Sequence, residues 1–383
     1  MSRTLIISAM LPSQYKGGAE KIAQLCIDEL RSTTNEPLIL THKKSRYGNG
    51  SFLPVFFGNI CSPNKITQKG VLVKLIYHLL DIFNPILLLE LIYLFTAKKV
   101  KVIYAHNITY FGFNVLIASR VCGIKYVQFS HDYYYTCVKS SRFRAGRNCE
   151  KTCTSCALLR APVKLFSQSV EVAFVSQAIQ SSITSELKFS STQVLYNPKQ
   201  NVANNDLVSS KQAPEFTLGY LGAISENKGI LQFLQAHLPL LESLGVNMMI
   251  AGSGEGQYFQ DFLTLVNTHP SINYLGQTAP ERFFPKIKFL LVPSLWNEPL
   301  ATVILEAIAY GVPVIANHTG GSCEMIDQGQ TGYCLDLFDN TNSKEQLQQI
   351  FSLSENDYQA LQKNIKAKDW PSKEDWIETI LNI

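Results

Sequence analysis

The residues richest in chemistry run Pro293-Ser294-Leu295-Trp296-Asn297-Glu298-Pro299-Leu300-Ala301-Thr302-Val303-Ile304-Leu305-Glu306-Ala307. An apolar strand pattern ends at Pro293 and a short loop holds Glu298. Pro299 stands where a first helical residue belongs, because its fixed φ suits that position and its missing N–H costs nothing there. Glu298 and Glu306 lie eight positions apart. One ligand reaches both only if it lies lengthwise over the helix N-terminus, as a nucleoside diphosphate sugar would. The free N–H groups of Leu300 and Ala301 then face the diphosphate, Glu298 the sugar and Glu306 the ribose hydroxyls. Spacing alone leaves a second reading open, an exposed loop carboxylate followed by one on a solvated helix face.

Other positions invite the same double reading. Asn227-Lys228-Gly229 follows a strand pattern and precedes a helical one, where phosphate-binding loops occur, although a lone lysine is more often solvated. Gly17-Gly18 also stands between a strand and a helix, and serves either as an ordinary turn or as a close backbone approach to phosphate. His131 ends the run Val127-Gln128-Phe129-Ser130 and precedes Asp132, which puts it at the carboxyl edge of a sheet, where open α/β folds bind ligands. His106 ends another strand pattern and reads as structural or acceptor-side. Four of the nine cysteines, Cys137, Cys149, Cys153 and Cys156, are spaced C-x11-C-x3-C-x2-C. In a cytosolic chain disulfides are disfavoured, so these four fit a structural zinc, an iron–sulfur cluster or reduced thiols packed without metal. Lys139, Arg142, Arg144 and Arg147 would help to keep them deprotonated.

Elements that position such residues alternate along the chain. Strand patterns at 4–9, 37–40, 100–105, 125–130, 171–175 and 193–196 are interleaved with helical ones at 19–31, 111–120 and 177–187. After the polar stretch 197–214, read as a linker, the alternation restarts at Phe216 and runs to Ala316. Such alternation predicts parallel sheets covered on both faces, in two domains, which is also the economical reading of 383 residues. Ser372 as a cap, with Glu374 and Asp375 behind it, predicts a final helix. The expected boundaries are a first domain over 1–200 with a Cys-rich loop at 137–156, a second over 215–368, and a C-terminal helix over 369–383.

The charge is divided unevenly. Residues 1–200 carry 24 Lys and Arg against 10 Asp and Glu, whereas 201–383 carry 10 against 20. The first half should seek anions. Nucleic acid is excluded as the partner, because no zinc-finger spacing, RNA-binding aromatic motif or basic zipper accompanies the charge. The greasiest window, Leu72 to Phe95, is interrupted by Lys74, His78, Asp81, Pro85 and Glu90, so no membrane-spanning helix is expected. Its apolar residues, with Lys65, Lys69 and Lys74 before and Lys98, Lys99 and Lys101 after, instead fit an interfacial surface on an anionic membrane, or two helices buried in the domain.

Pro293 to Glu306, with Ala307 to Pro313, Thr319-Gly320-Gly321 and Glu324, resemble the donor-site signature of the retaining family 4 glycosyltransferases. That signature has two glutamates separated by seven residues, then Gly-x-Pro-Val and a Gly-Gly turn followed by Glu. Gly222 to Gly229 is similar to the family's phosphate-binding strand end, with Lys228 at the lysine position. Ala251-Gly252-Ser253-Gly254, Leu275-Gly276, the loop Pro12 to Glu20 with Gly17-Gly18, and His106 and His131-Asp132 match further positions. The resemblance covers residues 1 to about 335, with one departure: Ala223 stands where the family usually has Arg.

The resemblance implies an α/β chain of the GT-B fold, two Rossmann-like domains facing across a cleft, with the C-terminal helix packing back toward the N-terminal domain. It implies transfer of a sugar, with retention, from a nucleoside diphosphate sugar to a glycan acceptor, a hexosyltransferase-type activity in surface polysaccharide assembly. His131, Lys228 and Glu298 would be catalytic. Gly17, Gly18, Lys228, Glu298, Pro299, Leu300, Ala301 and Glu306 would bind the donor, and no cofactor would be needed for catalysis, with zinc at the cysteines structural only. With the charge and the apolar window, a lipid-linked acceptor is expected, and a place in the cytoplasm, peripheral at the inner face of the membrane. An epimerase or phosphorylase on the same fold, or a non-catalytic sugar-nucleotide-binding subunit, are the alternatives.

Overall fold

The computed structural model describes residues 3–12, 17–33, 36–42, 51–61, 63–66, 69–199, 214–339 and 342–383. Most of the expected linker, residues 200–213, lies outside them. The chain divides into two compact units, one of Met1–Arg142, Cys149–Tyr196 and Lys373–Ile383, the other of Phe143–Asn148 and Asn197–Ser372.

The first unit is built on strands β1 (Arg3–Ser8), β2 (Leu38–Leu40), β3 (Ser51–Leu53), β4 (Val100–Asn107), β5 (Lys125–Ser130), β8 (Glu171–Phe174) and β9 (Ser191–Val194). Between β5 and β8 the chain makes a small antiparallel hairpin, β6 (Phe143–Arg144) and β7 (Arg147–Asn148), which clusters with the second unit. The seven strands pair in parallel in the order β3-β2-β1-β4-β5-β8-β9. Helices α1 (Gly18–Thr33), α2 (Pro63–Ile66), α3 (Val71–Ile82), α4 (Pro85–Ala97), α5 (Asn114–Val121), α6 (Thr154–Arg160), α7 (Val163–Ser167) and α8 (Gln177–Thr184) complete it. Because parallel strands are covered on both faces, their apolar runs are continuous rather than alternating, as Leu5-Ile6-Ile7 shows. On α1 the residues Ile22, Ala23, Cys26, Ile27 and Leu30 recur at helical spacing and are buried against that sheet.

The second unit repeats the plan with β10 (Phe216–Leu221), β11 (Met248–Ala251), β12 (Ile272–Tyr274), β13 (Ile287–Val292), β14 (Val314–Asn317) and β15 (Gly332–Leu335), all parallel, in the order β12-β11-β10-β13-β14-β15. Its helices are α9 (Ile230–Ser243), α10 (Gly256–Asn267), α11 (Pro280–Phe283), α12 (Thr302–Tyr310), α13 (Asn342–Phe351) and α14 (Glu355–Ala367). Both sheets reverse their winding after the third strand of each unit, so each has a switch point between its first and fourth strands. Ligands of doubly wound sheets bind at the carboxyl ends of those strands. The last helix, α15 (Lys373–Asn382), belongs to the first unit. Its Trp376, Ile377 and Ile380 enter the core of that unit, Trp376 lies 5.9 Å from the Phe129 ring, and Tyr104 Oη donates to the Ile380 carbonyl at 3.1 Å.

The apolar window becomes the pair α3 and α4, broken at Phe83-Asn84, where Asn84 caps α4 by accepting from the Leu87 amide and Pro85 occupies the first turn. Asn114 clamps this elbow, accepting from the Asn84 amide at 2.7 Å and donating to the Leu80 and Phe111 carbonyls. Gly112 permits the close packing: at φ +62° its α-carbon lies against the Asp81 carbonyl, 1.9 Å from where a β-carbon would stand. The expectation that nothing here is suited to cross a membrane needs correction. By length and composition alone Val71–Ala97 is apolar enough to do so, although the break at Phe83-Asn84 divides it into helices of 12 and 13 residues. Only a third of its most apolar stretch is buried. Val71 is 85% exposed, Leu89 69% and Tyr93 71%, and Leu72, Leu79, Phe83 and Ile86 are exposed beside them.

Candidate active site

At the switch point of the second unit, β10 leads into a 3-10 turn, Glu226–Lys228, and β13 into the loop that holds Glu298. The topology thereby brings together two residues 70 positions apart: Lys228 Nζ is ion-paired with Glu298 Oε1. Ser294 Oγ donates to the other carboxylate oxygen at 2.6 Å, and Lys228 lies over the Trp296 ring, 5.6 Å from its centroid. Glu298 is buried, and these two partners replace the water its carboxylate would otherwise bind. The backbone is fixed as firmly. The Leu295 amide donates to the Asn227 carbonyl, Asn317 Nδ2 and Thr319 Oγ1 donate to the Ser294 carbonyl, and the Gly321 amide donates to the Glu298 carbonyl at 2.7 Å. Two glycines make this approach possible. At Gly229 (φ +71°) a β-carbon would stand 2.1 Å from the Pro293 carbonyl oxygen, and at Gly320 (φ +60°) 2.2 Å from that of Glu298.

The helix expected to begin at Pro299 begins at Thr302, with Ala301 at its N-cap. The Glu298 amide turns back to the Trp296 carbonyl while the Glu298 carbonyl is taken by Gly321, and these contacts hold residues 297–301 out of helical conformation. The predicted donors survive the shift: Leu300 and Ala301 are buried, and among the described residues their amides have no partner. Glu306 is buried on α12. Ala223 is exposed, and its carbonyl accepts from Tyr220 Oη at 2.6 Å.

Sequence reasoning missed Asn148. It stands at the end of the β6–β7 hairpin, where its Nδ2 donates to the Leu295 carbonyl at 2.8 Å and its Oδ1 accepts from the Asn297 amide at 2.7 Å. It thus grips the Glu298 loop from a segment read only for its cysteines, and no local pattern marks it. A second omission is the disulfide between Cys323 and Cys334, which ties the turn after Gly320-Gly321 to β15. It corrects the expectation of a chain without disulfides.

In the first unit, Gly17 and Gly18 open α1 after β1, with the Lys21 amide donating to the Gly17 carbonyl. The neighbouring strand across the switch point, β4, ends at His106 and Asn107, and β5 ends just before His131. His106 Nδ1 and His131 Nε2 share a hydrogen bond of 3.0 Å, and the His106 ring stacks on Phe129 at 4.4 Å. Burial pushes the His131 pKa down to about 4 and that of His106 well below the usual range, so the pair is neutral at pH 7. Asp132 is pushed up to about 7, chiefly by burial, against the opposing effect of the Tyr134 amide that it accepts from and with the charge of Glu20 adding to it. Asn107 Nδ2 donates to Glu20 at 3.3 Å. A cavity of about 10 Å³ beside His106, Gln128 and Asp132 has room for about one water.

The four cysteines expected as zinc ligands are Cys137, Cys149, Cys153 and Cys156. Cys137 and Cys156 share a thiol hydrogen bond that lowers the pKa of Cys137 and raises that of Cys156. Cys153 is the N-cap of α6, with its sulfur 3.3 Å from Ser155 Oγ. Among the described residues no three His, Cys, Asp or Glu side chains form a group that could hold a metal ion.

Two doubly wound sheets of this order, one with an ion pair and unpartnered amides at its switch point, define the GT-B architecture. Anabaena HepE, solved with UDP and glucose, shares the fold, with a TM-score of 0.70 over 100% of this chain and 99% of that one at 17% identity. The chain has the GT-B fold, and its residues 215–356, within the second unit, match the family described as Glycosyl transferases group 1. An uncharacterized 42.6 kDa protein in the cps region of Klebsiella pneumoniae is 23% identical over 333 residues, 84% of this chain and 87% of that protein. The capsular polysaccharide biosynthesis glycosyltransferase CapM of Staphylococcus aureus is 25% identical over 142 residues, 36% of this chain and 37% of that protein.

Proposed function

We propose that this glycosyltransferase moves a hexose, with retention, from a nucleoside diphosphate sugar to a lipid-linked glycan in surface polysaccharide assembly. The Lys228–Glu298 pair carries the reading. An arriving diphosphate competes for the ammonium group, so Lys228 exchanges a carboxylate for phosphate oxygens while Glu298, still held by Ser294, turns to sugar hydroxyls. Glu306 takes the ribose. The unpartnered Leu300 and Ala301 amides add fixed dipoles where charge develops on the leaving group, a stabilisation that grows toward the transition state. The anomeric C–O bond to phosphate breaks, the bond to the acceptor oxygen forms on the same face, and the departing phosphate takes the acceptor proton. In the first unit, the roles that the resemblance implies fall to the Gly17-Gly18 amides, for the donor, and to the neutral His131. HepE, solved with UDP, makes uridine the first base to try.

The test is a thermal-shift screen of UDP- and GDP-sugars, since a ligand specific to the native state raises the melting temperature. NMR of the product's anomeric proton follows. One donor should stabilise the protein and Lys228→Ala should abolish the shift. No stabilising donor, or an unchanged shift in Lys228→Ala, overturns the assignment.

The lipid part of the reading rests on the exposed face of α3 and α4 between flanking lysines, a surface too apolar to be left to water and too cationic at its margins for a neutral partner. It would place the enzyme at the cytoplasmic face of an anionic membrane. Sedimentation with anionic but not neutral vesicles, released by salt and lost in Leu72→Glu/Leu89→Glu, is the expected outcome; no binding at low salt overturns it.

A further inference from the structure

The first unit contains a second, much larger cavity, about 470 Å³, lined by Tyr135 and Thr136, by residues drawn from the stretch 150–164 and by the segment Ser185–Leu187 beyond α8. Arg160 lines it, 4% exposed. Its Nη1 donates to Asp81 at 3.0 Å, and its guanidinium lies over the Tyr134 and Phe113 rings, at 4.6 and 5.2 Å from their centroids. Its Nε and Nη2 are buried and, among the described residues, have no hydrogen-bond partner. Those two nitrogens form the side-on edge of a guanidinium, the fork that grips two oxygens of one oxyanion. The fold therefore holds an arginine by one nitrogen and leaves its bidentate edge unsatisfied beside a cavity.

The other lining charges point the same way. Lys151 and Lys164 have no ion-pair partner among the described residues. Glu186 is occupied, pairing with Arg142 at 2.9 Å and accepting from Thr152 Oγ1 at 2.5 Å. Among the described residues Glu150 is left as the uncompensated acidic side chain in the lining. Two free ammonium groups and, buried behind them, an unsatisfied guanidinium edge, in a volume much larger than a carboxylate, suit a phosphate or diphosphate.

We propose that this cavity is a phosphate-binding site distinct from the donor site and that it takes the phosphate or diphosphate joining the acceptor glycan to its lipid. The choice of the lipid as the source rests on the acceptor reading above; the oxyanion chemistry does not. Asp81, which holds Arg160, lies on α3, whose outer face is the exposed apolar surface, so the fork hangs from the helix that a membrane would engage.

The test uses the full chain and inorganic diphosphate, titrated by calorimetry. Two classes of site are expected. Lys151→Ala/Lys164→Ala should weaken one of them by about tenfold or more, the cost of losing charge-assisted contacts, and leave the other. Lys228→Ala should do the reverse. Arg160→Lys keeps the pair with Asp81 and removes the fork, and should also weaken the cavity class; if it does not fold, the two surface lysines still decide. Diphosphate binding lost with Lys228→Ala alone, or untouched by Lys151→Ala/Lys164→Ala, overturns the proposal while leaving the donor reading intact. Neutral phosphatidylcholine vesicles doped with a polyprenyl phosphate, against vesicles carrying equal charge as phosphatidylglycerol, identify the source. A preference for the polyprenyl phosphate that the double lysine variant loses establishes the lipid, and equal binding to both overturns it in favour of a soluble phosphate.

Discussion

Replacing Asp81 with Ala should destabilise the first unit by about 3 to 5 kcal/mol, the usual cost of breaking a buried pair and stranding one charge. The structure places the expectation within that range. The Asp81 side chain is fully buried, Arg160 is nearly so, and Asp81 also accepts from Tyr134 Oη, so the substitution removes two hydrogen bonds to a charged group. Each is worth about 1.5 to 3 kcal/mol. The two aromatic faces over the guanidinium are present with and without Asp81 and cancel, so the loss is at least about 3 kcal/mol. For a unit of this size that is a fall of roughly 6 to 12 °C in its melting temperature. Two units need not unfold together, so the probe must be local. Of the three tryptophans, Trp376 alone lies in the first unit, and a Trp296→Phe/Trp370→Phe background makes its fluorescence specific. Urea unfolding of Asp81→Ala in that background gives the loss directly. The double variant Asp81→Leu/Arg160→Met replaces the pair with apolar groups and should recover most of it. A loss below about 1 kcal/mol, or a double variant no better than the single, would refute the reasoning.

Glu306→Ala should raise the Kd of the donor nucleotide with little change in kcat, and Glu298→Ala should lower kcat by at least about a hundredfold with a smaller change in Kd; equal, small effects of both would sink the site. Asn148→Ala frees the Leu295 carbonyl and the Asn297 amide, and should lower kcat about tenfold without altering the melting temperature of the second unit by more than a few degrees. For Asp132, the folded carboxyl keeps its proton up to about pH 7 and the unfolded one only to 3.8, so the native state binds more protons between those values and its stability falls as pH rises through them. Asp132→Asn removes that slope and should gain on the parent from pH 4 to pH 8 in urea midpoints, whereas a difference independent of pH would contradict the shift. Metal analysis decides the four cysteines: a ratio near one zinc per chain would show them closing on the ion in solution, and finding neither zinc nor iron would remove the structural metal.

Much of this was legible because parallel strands are apolar along their whole length. The runs at Lys125–Ser130 and Phe216–Leu221 read as strands to the residue, and strand ends told where Lys228, Glu298 and His131 would emerge. What failed did so where distant groups overrule local preference. Pro299 favours a helix start, but the bonds from Gly321 and to Trp296 postpone it to Thr302. Asn148 acts on residues nearly 150 positions away, and Cys323 meets Cys334 through the neighbouring strands β14 and β15 and the turn between them; neither leaves a periodic trace. Composition showed that the window at 72–95 was apolar, but not that its side chains faced outward, because exposure is decided by what packs against a helix.

The last helix gives the chain an order of assembly. Trp376, Ile377 and Ile380 complete the core of the N-terminal unit, yet they leave the ribosome only after the whole of the other unit. At about 5 to 20 residues per second, that interval is roughly 10 to 35 seconds. Throughout it the nascent first unit exposes the groove that α15 will fill, and holdase chaperones have their window there. A premature stop shortly before Trp376 would therefore injure the half of the enzyme made first, and spare the half translated just before the stop.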